Sequence, residues 1–278
     1  MNNLKDTLIA AAEKVANYLT ETHRPSAIVR VNSSGDTSKV FDIEAENIIF
    51  DELRRRIKEC FLFVSEESGV RRFCGEPEWV VVVDPVDGSM NYDAQIPWVS
   101  ISIAVAPLDG EDPTIGDVSY AVVYDVFRRI DYSFDHSEGV TIAGIPATRR
   151  PKPPGVVLGY FELPDSYKII PYYWAERGSR ASLRSLGSAA LDIIYVGLGN
   201  AEAFIDTRAK LRNVDVAAAL RIASALGAKA KLCNGLNALS VTLKDITKIE
   251  CLLVGYNEDY LNKLSEAHYE SQTQSYRE

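Results

Sequence analysis

Residues Val80–Asn91 (VVVVDPVDGSMN) constrain this chain more than any other stretch. Four consecutive valines specify a strand buried on both faces, and the strand carries two carboxylates, Asp84 and Asp87, at its end. Pro85 lacks a ladder donor and Gly88 permits a tight turn, so the strand is expected to stop here. Two like charges at one turn are costly unless a cation neutralises them. An oxygen-rich, sulfur-free ligand set suits a hard ion such as Mg²⁺. The backbone N–H groups of Gly88 and Ser89 offer a cradle for phosphate. Metal and phosphate together indicate phosphoryl chemistry.

Two further segments share this character. Phe61–Gly69 (FLFVSEESG) is an apolar strand ending in the acids Glu66 and Glu67, and Asn213–Leu220 (NVDVAAAL) places Asp215 before a small-residue helix, at an N-cap or first-turn position. Singly, Asp87 fits a turn residue, Asp215 and Asp42 fit helix caps, Ser89 a turn hydroxyl and Glu67 a surface acid. The three segments in this order resemble the inositol monophosphatase family of Mg²⁺-dependent, lithium-sensitive sugar phosphatases, whose pattern is Glu-Glu, then Asp-Pro-x-Asp-Gly-Ser/Thr, then Trp-Asp-x-Ala-Ala-Gly. The resemblance runs from about Lys5 to at least Leu226. Val214 stands where the family usually has Trp, and Ala219 where it usually has Gly; neither change touches a ligand atom.

The resemblance implies a layered αβαβα sandwich, a mixed α/β fold shared with fructose-1,6-bisphosphatases, with two subdomains around one cleft. It implies that Asp84 bridges two Mg²⁺ ions, with Glu66 and the Val86 carbonyl joining it on one and Asp87 and Asp215 on the other. A third, weaker ion belongs near Glu66 and Glu67, and Mn²⁺ is an admissible substitute. The nucleophile would be a metal-activated water, its proton taken by an Asp42–Ser89 relay, Ser89 standing where the family has Thr. Substrate contacts are implied for Gly88, Ser89, Gly187, Ser188, Ala189, Arg184 and Asp206. Arg208 is a further implied substrate contact, and among the nearby basic residues Arg177, Arg180, Arg208, Lys210 and Arg212 one or two are candidates for a second phosphate, the rest belonging to a solvated surface.

The expected activity is hydrolysis of small sugar or polyol phosphates, inositol-1-phosphate first. Fructose-1,6-bisphosphatase or dual specificity is the alternative, 3′-phosphoadenosine 5′-phosphate phosphatase ranks third, and a non-catalytic interaction protein is the reading from another class. The same resemblance implies a homodimer. At 278 residues with 46% hydrophobic and 25% charged content the chain is an ordinary globular protein, and its net charge of −9 argues against nucleic-acid or anionic-membrane partners. With no long apolar run and no signal-peptide pattern, the cytoplasm is the default. Cys60, Cys74, Cys233 and Cys251 lack paired-ligand spacing, so they are expected as small buried hydrophobes, with neither a structural zinc site nor a Cys60–Cys74 disulfide favoured.

Along the chain, Leu4, Leu8, Ala11, Ala12, Val15 and Leu19 predict a first helix ending at His23–Pro25, followed by a strand at 27–31 and a turn at 32–36. A second helix is expected from Asp42 to Glu59 with Ile43, Ile48, Ile49, Leu53 and Ile57 inward. Strands are expected at 99–106, 118–126, 156–161, 203–206, 239–243 and 251–255, helices at 189–197 and 216–226, and a frayed tail from Glu266. The breaker cluster at 149–155 suggests a boundary between subdomains 1–150 and 151–278.

Overall fold

The structure, a computed structural model, describes residues 4–21, 27–31, 37–161 and 164–275. Helix α1 (Leu4–Glu21) leads to an antiparallel pair, β1 (Ile28–Val31) and β2 (Thr37–Lys39), and then to helix α2 (Val40–Arg56). Strands β3 (Phe61–Ser65), β4 (Gly69–Phe73) and β5 (Trp79–Asp87) precede the short helix α3 (Ser89–Asp93). A meander follows through β6 (Ser100–Pro107), β7 (Tyr120–Asp125), β8 (Ile130–Asp135), β9 (Gly139–Ile142) and β10 (Ile145–Pro146). The second half runs β11 (Val156–Tyr160), α4 (Ile169–Arg177), β12 (Ser182–Arg184), α5 (Ala189–Gly197) and β13 (Ala203–Asp206). It ends with β14 (Leu211–Arg212), α6 (Asn213–Ala225), β15 (Lys229–Leu232), β16 (Lys248–Ile249), β17 (Leu252–Gly255) and α7 (Glu258–Ser275).

Two sheets organise these elements, one of eight strands in the order β10-β9-β8-β7-β6-β5-β3-β4 and one of five in the order β12-β11-β13-β17-β15. Helices α1 and α2 cover the outer face of the first sheet, α5 and α6 fill the space between the sheets, and α4 and α7 cover the outer face of the second. The layers are therefore αβαβα. The valine run shows why a continuous apolar stretch is needed in such an arrangement. Val81 and Val83 point into the core beneath α1 and α2, whereas Val80 and Val82 point into the core around α5 and α6. That central core draws on residues from both sides of the 149–155 cluster, Val64 and Ala121 from before it, Ile193 and Val216 from after it.

Several expectations need correction. Strand β5 does not stop at Pro85. It continues to Asp87 through a bulge, with Asp84 opposite Ser102 and Asp87 opposite Ser100, and a bulge is where a ladder tolerates proline. On α2 the inward face is Phe41, Ala45, Ile49 and Leu53, while Ile43 and Ile48 are only half-buried. Residues 239–243 form no strand; the Asn237 side chain accepts the Leu239 N–H at 3.0 Å and nucleates a 3₁₀ turn over Ala238–Ser240. The tail from Glu266 is part of α7 up to Ser275. The expected helix stop at His23–Pro25 and the turn at 32–36 lie outside the described residues.

The cysteines also depart from expectation. Cys60 pairs with Cys74, and Cys233 with Cys251, at Cα–Cα distances of 5.3 and 5.4 Å. Strand register explains both. The antiparallel pair Phe61↔Phe73 continues outward to Cys60 and Cys74, and Leu232↔Leu252 continues to Cys233 and Cys251. Directly opposed residues lie at a spacing a disulfide can bridge. Among the described residues no helix is long and apolar enough to cross a membrane.

Candidate active site

Glu66 and Asp84 are brought together by sheet register. Strands β3 and β5 are parallel, with Ser65 beside Val83, so each chain delivers its acid one residue later at the same edge of the sheet. The Glu66 N–H also donates to the Val83 carbonyl at 3.3 Å. The third acid arrives from another layer. Asp215 sits in the first turn of α6, where its carboxylate accepts the Arg212 N–H at 2.8 Å and so caps the helix from within. Carboxylate oxygens of Glu66, Asp84 and Asp215 all lie within 4.8 Å of one another.

Burial raises the Asp84 pKa well above the carboxylate range, and the charges of Glu66, Asp87 and Asp215 push it further. Glu66 is raised by burial and by Asp215 and Glu67, with partial relief from Arg212, whose Nη1 lies 3.2 Å from Glu66 Oε1. The Val86 N–H donates to Asp84 Oδ1 at 3.0 Å and fixes the side chain. An all-oxygen group with this much mutual repulsion, Asp84 buried and Glu66 and Asp215 half-buried, is the kind of donor set that suits a hard divalent cation.

Asp87 lines the same cavity but is turned toward helix α5. Its Oδ2 accepts from Ser100 Oγ at 3.0 Å, from the Ala190 N–H at 2.9 Å and from Ser188 Oγ, and its Oδ1 accepts the Ala189 N–H at 3.1 Å. Burial raises its pKa while these donors lower it. Asp87 thus ties the end of β5 to the N-terminus of α5, and it is not among the three acids clustered within 4.8 Å. Backbone conformation permits this clasp. Gly88 adopts φ +95°, and a Cβ there would meet the Gly187 carbonyl oxygen at 2.9 Å; Gly187 adopts φ +97°, and a Cβ there would meet Asn91 Nδ2 at 2.6 Å. Asn91, which sequence reasoning passed over, donates to the carbonyls of Trp98 at 2.8 Å and Leu186 at 2.7 Å. The serine alternation along β6 was the available signal for Ser100.

Asp42 is buried in the first turn of α2, accepting the Lys39 N–H at 3.1 Å. Burial, with the Glu67 charge second, lifts its pKa to about 7. Asp42 and Ser89 form no direct hydrogen bond among the described residues. Lys39 lies between their segments, its Nζ 3.5 Å from the Ser89 carbonyl and paired with Asp93. Glu67 is buried and accepts from Ser38 Oγ on β2. A buried Glu46 steadies the β3–β4 turn carrying both acids, accepting from Ser65 Oγ, from the Ser68 N–H at 3.0 Å and from Arg71 at 2.8 Å.

The cavity holds about 400 Å³ and is lined by Glu66, Asp84, Val86, Asp87, Gly88, Ser89, Gly187, Ala189, Arg208 and Asp215. Its lining also includes Tyr160 and Lys210; Tyr160 had no sequence signal. Asp206 is buried beneath the cavity wall and holds Arg208, with Nη2 to Oδ2 at 2.7 Å, while the guanidinium lies 3.9 Å from the centre of the Tyr160 ring. Asp206 therefore positions a cation. Ser188 caps α5 and reaches the site through Asp87. Arg184 is exposed, donates to the Leu183 carbonyl and does not line the cavity. Arg177 is engaged by Glu202 at 2.5 Å, away from the cavity.

The model of the inositol monophosphatase family matches residues 1–269. The inositol-1-monophosphatase of Aeropyrum pernix is 34% identical over 190 residues, covering 67% of this chain and 68% of that protein. The fructose-1,6-bisphosphatase/inositol-1-monophosphatase of Methanothermobacter thermautotrophicus is 30% identical over 222 residues, covering 77% of this chain and 78% of that protein. In structure, the chain superposes on the crystal structure of an inositol monophosphatase–fructose 1,6-bisphosphatase gene product with a TM-score of 0.77 at 24% identity, covering 95% of this chain and 99% of the other.

Proposed function

Because the chain belongs to the inositol monophosphatase family of phosphoric monoester hydrolases, we propose that it is a Mg²⁺-dependent phosphatase of small sugar and polyol phosphates, inositol-1-phosphate foremost. The observation that carries this reading is the convergence of Glu66, Asp84 and Asp215 within 4.8 Å at the floor of the cavity. Those three acids, with Asp87 and the Val86 carbonyl beside them, would hold the divalent cations. Bound there, the cations would supply positive charge against the phosphoryl oxygens and acidify a water. The N–H groups of Ser89 and Met90, at the start of α3 on the cavity lining, would donate to phosphoryl oxygens. In this proposal Asp42, buried and lifted in pKa, would take up the proton of the attacking water through the Ser89 hydroxyl, once the two side chains, not hydrogen-bonded to each other here, come together. The sugar hydroxyls face the backbone of Gly187 and Ala189 and the Tyr160–Arg208 wall.

A second reading, activity on fructose-1,6-bisphosphate as well, is favoured by Arg208 and Lys210 on the cavity wall, two cations suited to a second phosphate. In the same proposal the protein is a homodimer of the cytoplasm. Its two disulfides run against an ordinary reducing cytosol and fit one only of the hyperthermophile kind. The test is phosphate release from inositol-1-phosphate, fructose-1,6-bisphosphate and 3′-phosphoadenosine 5′-phosphate. Preference for the first supports the proposal, comparable rates on the first two support dual specificity, and release only from the third overturns both.

A further inference from the structure

A second set of potential ligands lies far from the carboxylates in chemistry. Cys233 follows β15 and Cys251 precedes β17, so the register Leu232↔Leu252 sets the two cysteines opposite one another. Helix α7 packs over these strands through Leu261, Leu264 and Ser265. His268 follows at the same helical spacing, on the same face as those three. Ser265 Oγ donates to the Cys233 carbonyl at 2.7 Å, which fixes α7 in height against the cysteine segment. As a result one donor atom from each of Cys233, Cys251 and His268 lies within 4.8 Å of the other two. They border a cavity of about 670 Å³, whose lining includes the exposed carboxylate of Glu250.

We propose that Cys233, Cys251 and His268 form a redox-gated Zn²⁺ site, with a fourth position facing the cavity and open to Glu250 or water. Two thiolates and an imidazole are ligands for a soft or borderline cation and would reject Mg²⁺. Around tetrahedral zinc, with bonds of about 2.0–2.3 Å, such donors stand roughly 3.5–3.8 Å apart. Spacings within 4.8 Å need only side-chain adjustment to reach this. The disulfide is the closed state of the site. A dithiol reductant supplies two electrons and two protons, is itself oxidised to a cyclic disulfide, and leaves two thiols. Binding of one Zn²⁺ then releases those two protons to solvent. Cys60–Cys74 has no third ligand of this kind among the described residues, so the behaviour is specific to one pair.

The test uses the full chain with Mg²⁺ present throughout, Co²⁺ as the optical probe and a water-soluble phosphine as reductant. Reduced protein should develop a thiolate-to-cobalt charge-transfer band that saturates at one equivalent and is erased by Zn²⁺. Oxidised protein should show none. The band should survive Cys60→Ser/Cys74→Ser, vanish in Cys233→Ser/Cys251→Ser, and need at least tenfold more Co²⁺ in His268→Gln. Circular dichroism checks that each variant is folded, and His268→Asn replaces the glutamine variant if that one is not. Absence of the band in reduced, folded protein overturns the proposal. So does a band that requires Cys60 and Cys74, or one indifferent to His268. Because the readout is cobalt–thiolate absorption, it is independent of whether the carboxylate site hydrolyses phosphate.

Discussion

Replacing Asp84 with Asn should stabilise the metal-free protein and abolish its response to Mg²⁺. Asp84 faces both Glu66 and Asp215 with oxygens within 4.8 Å. Two unit charges at that distance repel by about 3.5 kcal/mol at an effective dielectric constant of about 20. Proton uptake and the Arg212–Glu66 pair at 3.2 Å relieve part of this repulsion. Asparagine keeps an oxygen to accept the Val86 N–H, so that hydrogen bond survives. A net gain of about 2 kcal/mol is expected near pH 8 in chelator, or roughly 4–8 °C in Tm. The sign follows from the raised pKa values of Glu66 and Asp84. A carboxyl raised in the folded state favours folding fully below its ordinary pKa and loses that contribution as pH climbs through the folded value. Wild-type apoprotein should therefore lose stability as the pH rises above the ordinary carboxylate range, and the advantage of Asp84→Asn should fade at the acid end. Mg²⁺ at a hundred times its Kd should then stabilise wild type by about 2.7 kcal/mol and leave the variant unchanged. Thermal melts near pH 8 and at the acid end, with and without Mg²⁺, decide the matter. A variant less stable than wild type near pH 8 without metal would refute the electrostatic reasoning.

Other consequences are as direct. Asp42→Asn should reduce kcat by about 10²–10⁴-fold and remove an ascending limb of the kcat/KM profile that inflects at or below about pH 7, since any bound cation lowers the Asp42 pKa. Asn91→Ala removes the donor to the buried Trp98 carbonyl and the half-buried Leu186 carbonyl, and denaturant titration should show a loss of about 1–3 kcal/mol together with weaker Mg²⁺ binding. Arg208→Lys breaks a forked pair with Asp206 and should raise KM for a bisphosphate more than for a monophosphate. Reduction of both disulfides, which span 14 and 18 residues, should lower stability by roughly 3 kcal/mol each, read as a fall in Tm.

Much of this site was legible from sequence because strand–turn chemistry is local. The valine run, the Asp-Pro-Val-Asp-Gly segment and the acid ending β3 are read as one group through the family resemblance, and the structure supplies the physical reason: they lie at the ends of two neighbouring parallel strands. The layered architecture followed from interleaved strands and helices together with the family resemblance. What local pattern does not encode is what one layer does to another. Asp87 is taken up by the start of α5, some hundred residues later, and the Arg208 guanidinium by the Tyr160 ring from a strand some fifty residues earlier. The disulfides were misjudged for the same reason, since their spacing is set by strand register and not by separation along the chain. Pro85 was given too much weight: as a breaker it predicts an end, whereas the ladder absorbs it in a bulge that still delivers Asp87 opposite Ser100.

The central claim is that the Glu66–Asp84–Asp215 group holds the divalent cation on which phosphate-ester hydrolysis depends. Its most direct test is phosphate release from inositol-1-phosphate by chelator-treated protein titrated with Mg²⁺, run beside Asp84→Asn. Release that is absent without Mg²⁺, saturates as Mg²⁺ is added and is lost in the variant is the predicted result. Release that proceeds equally in chelator, or that persists in Asp84→Asn, would contradict it.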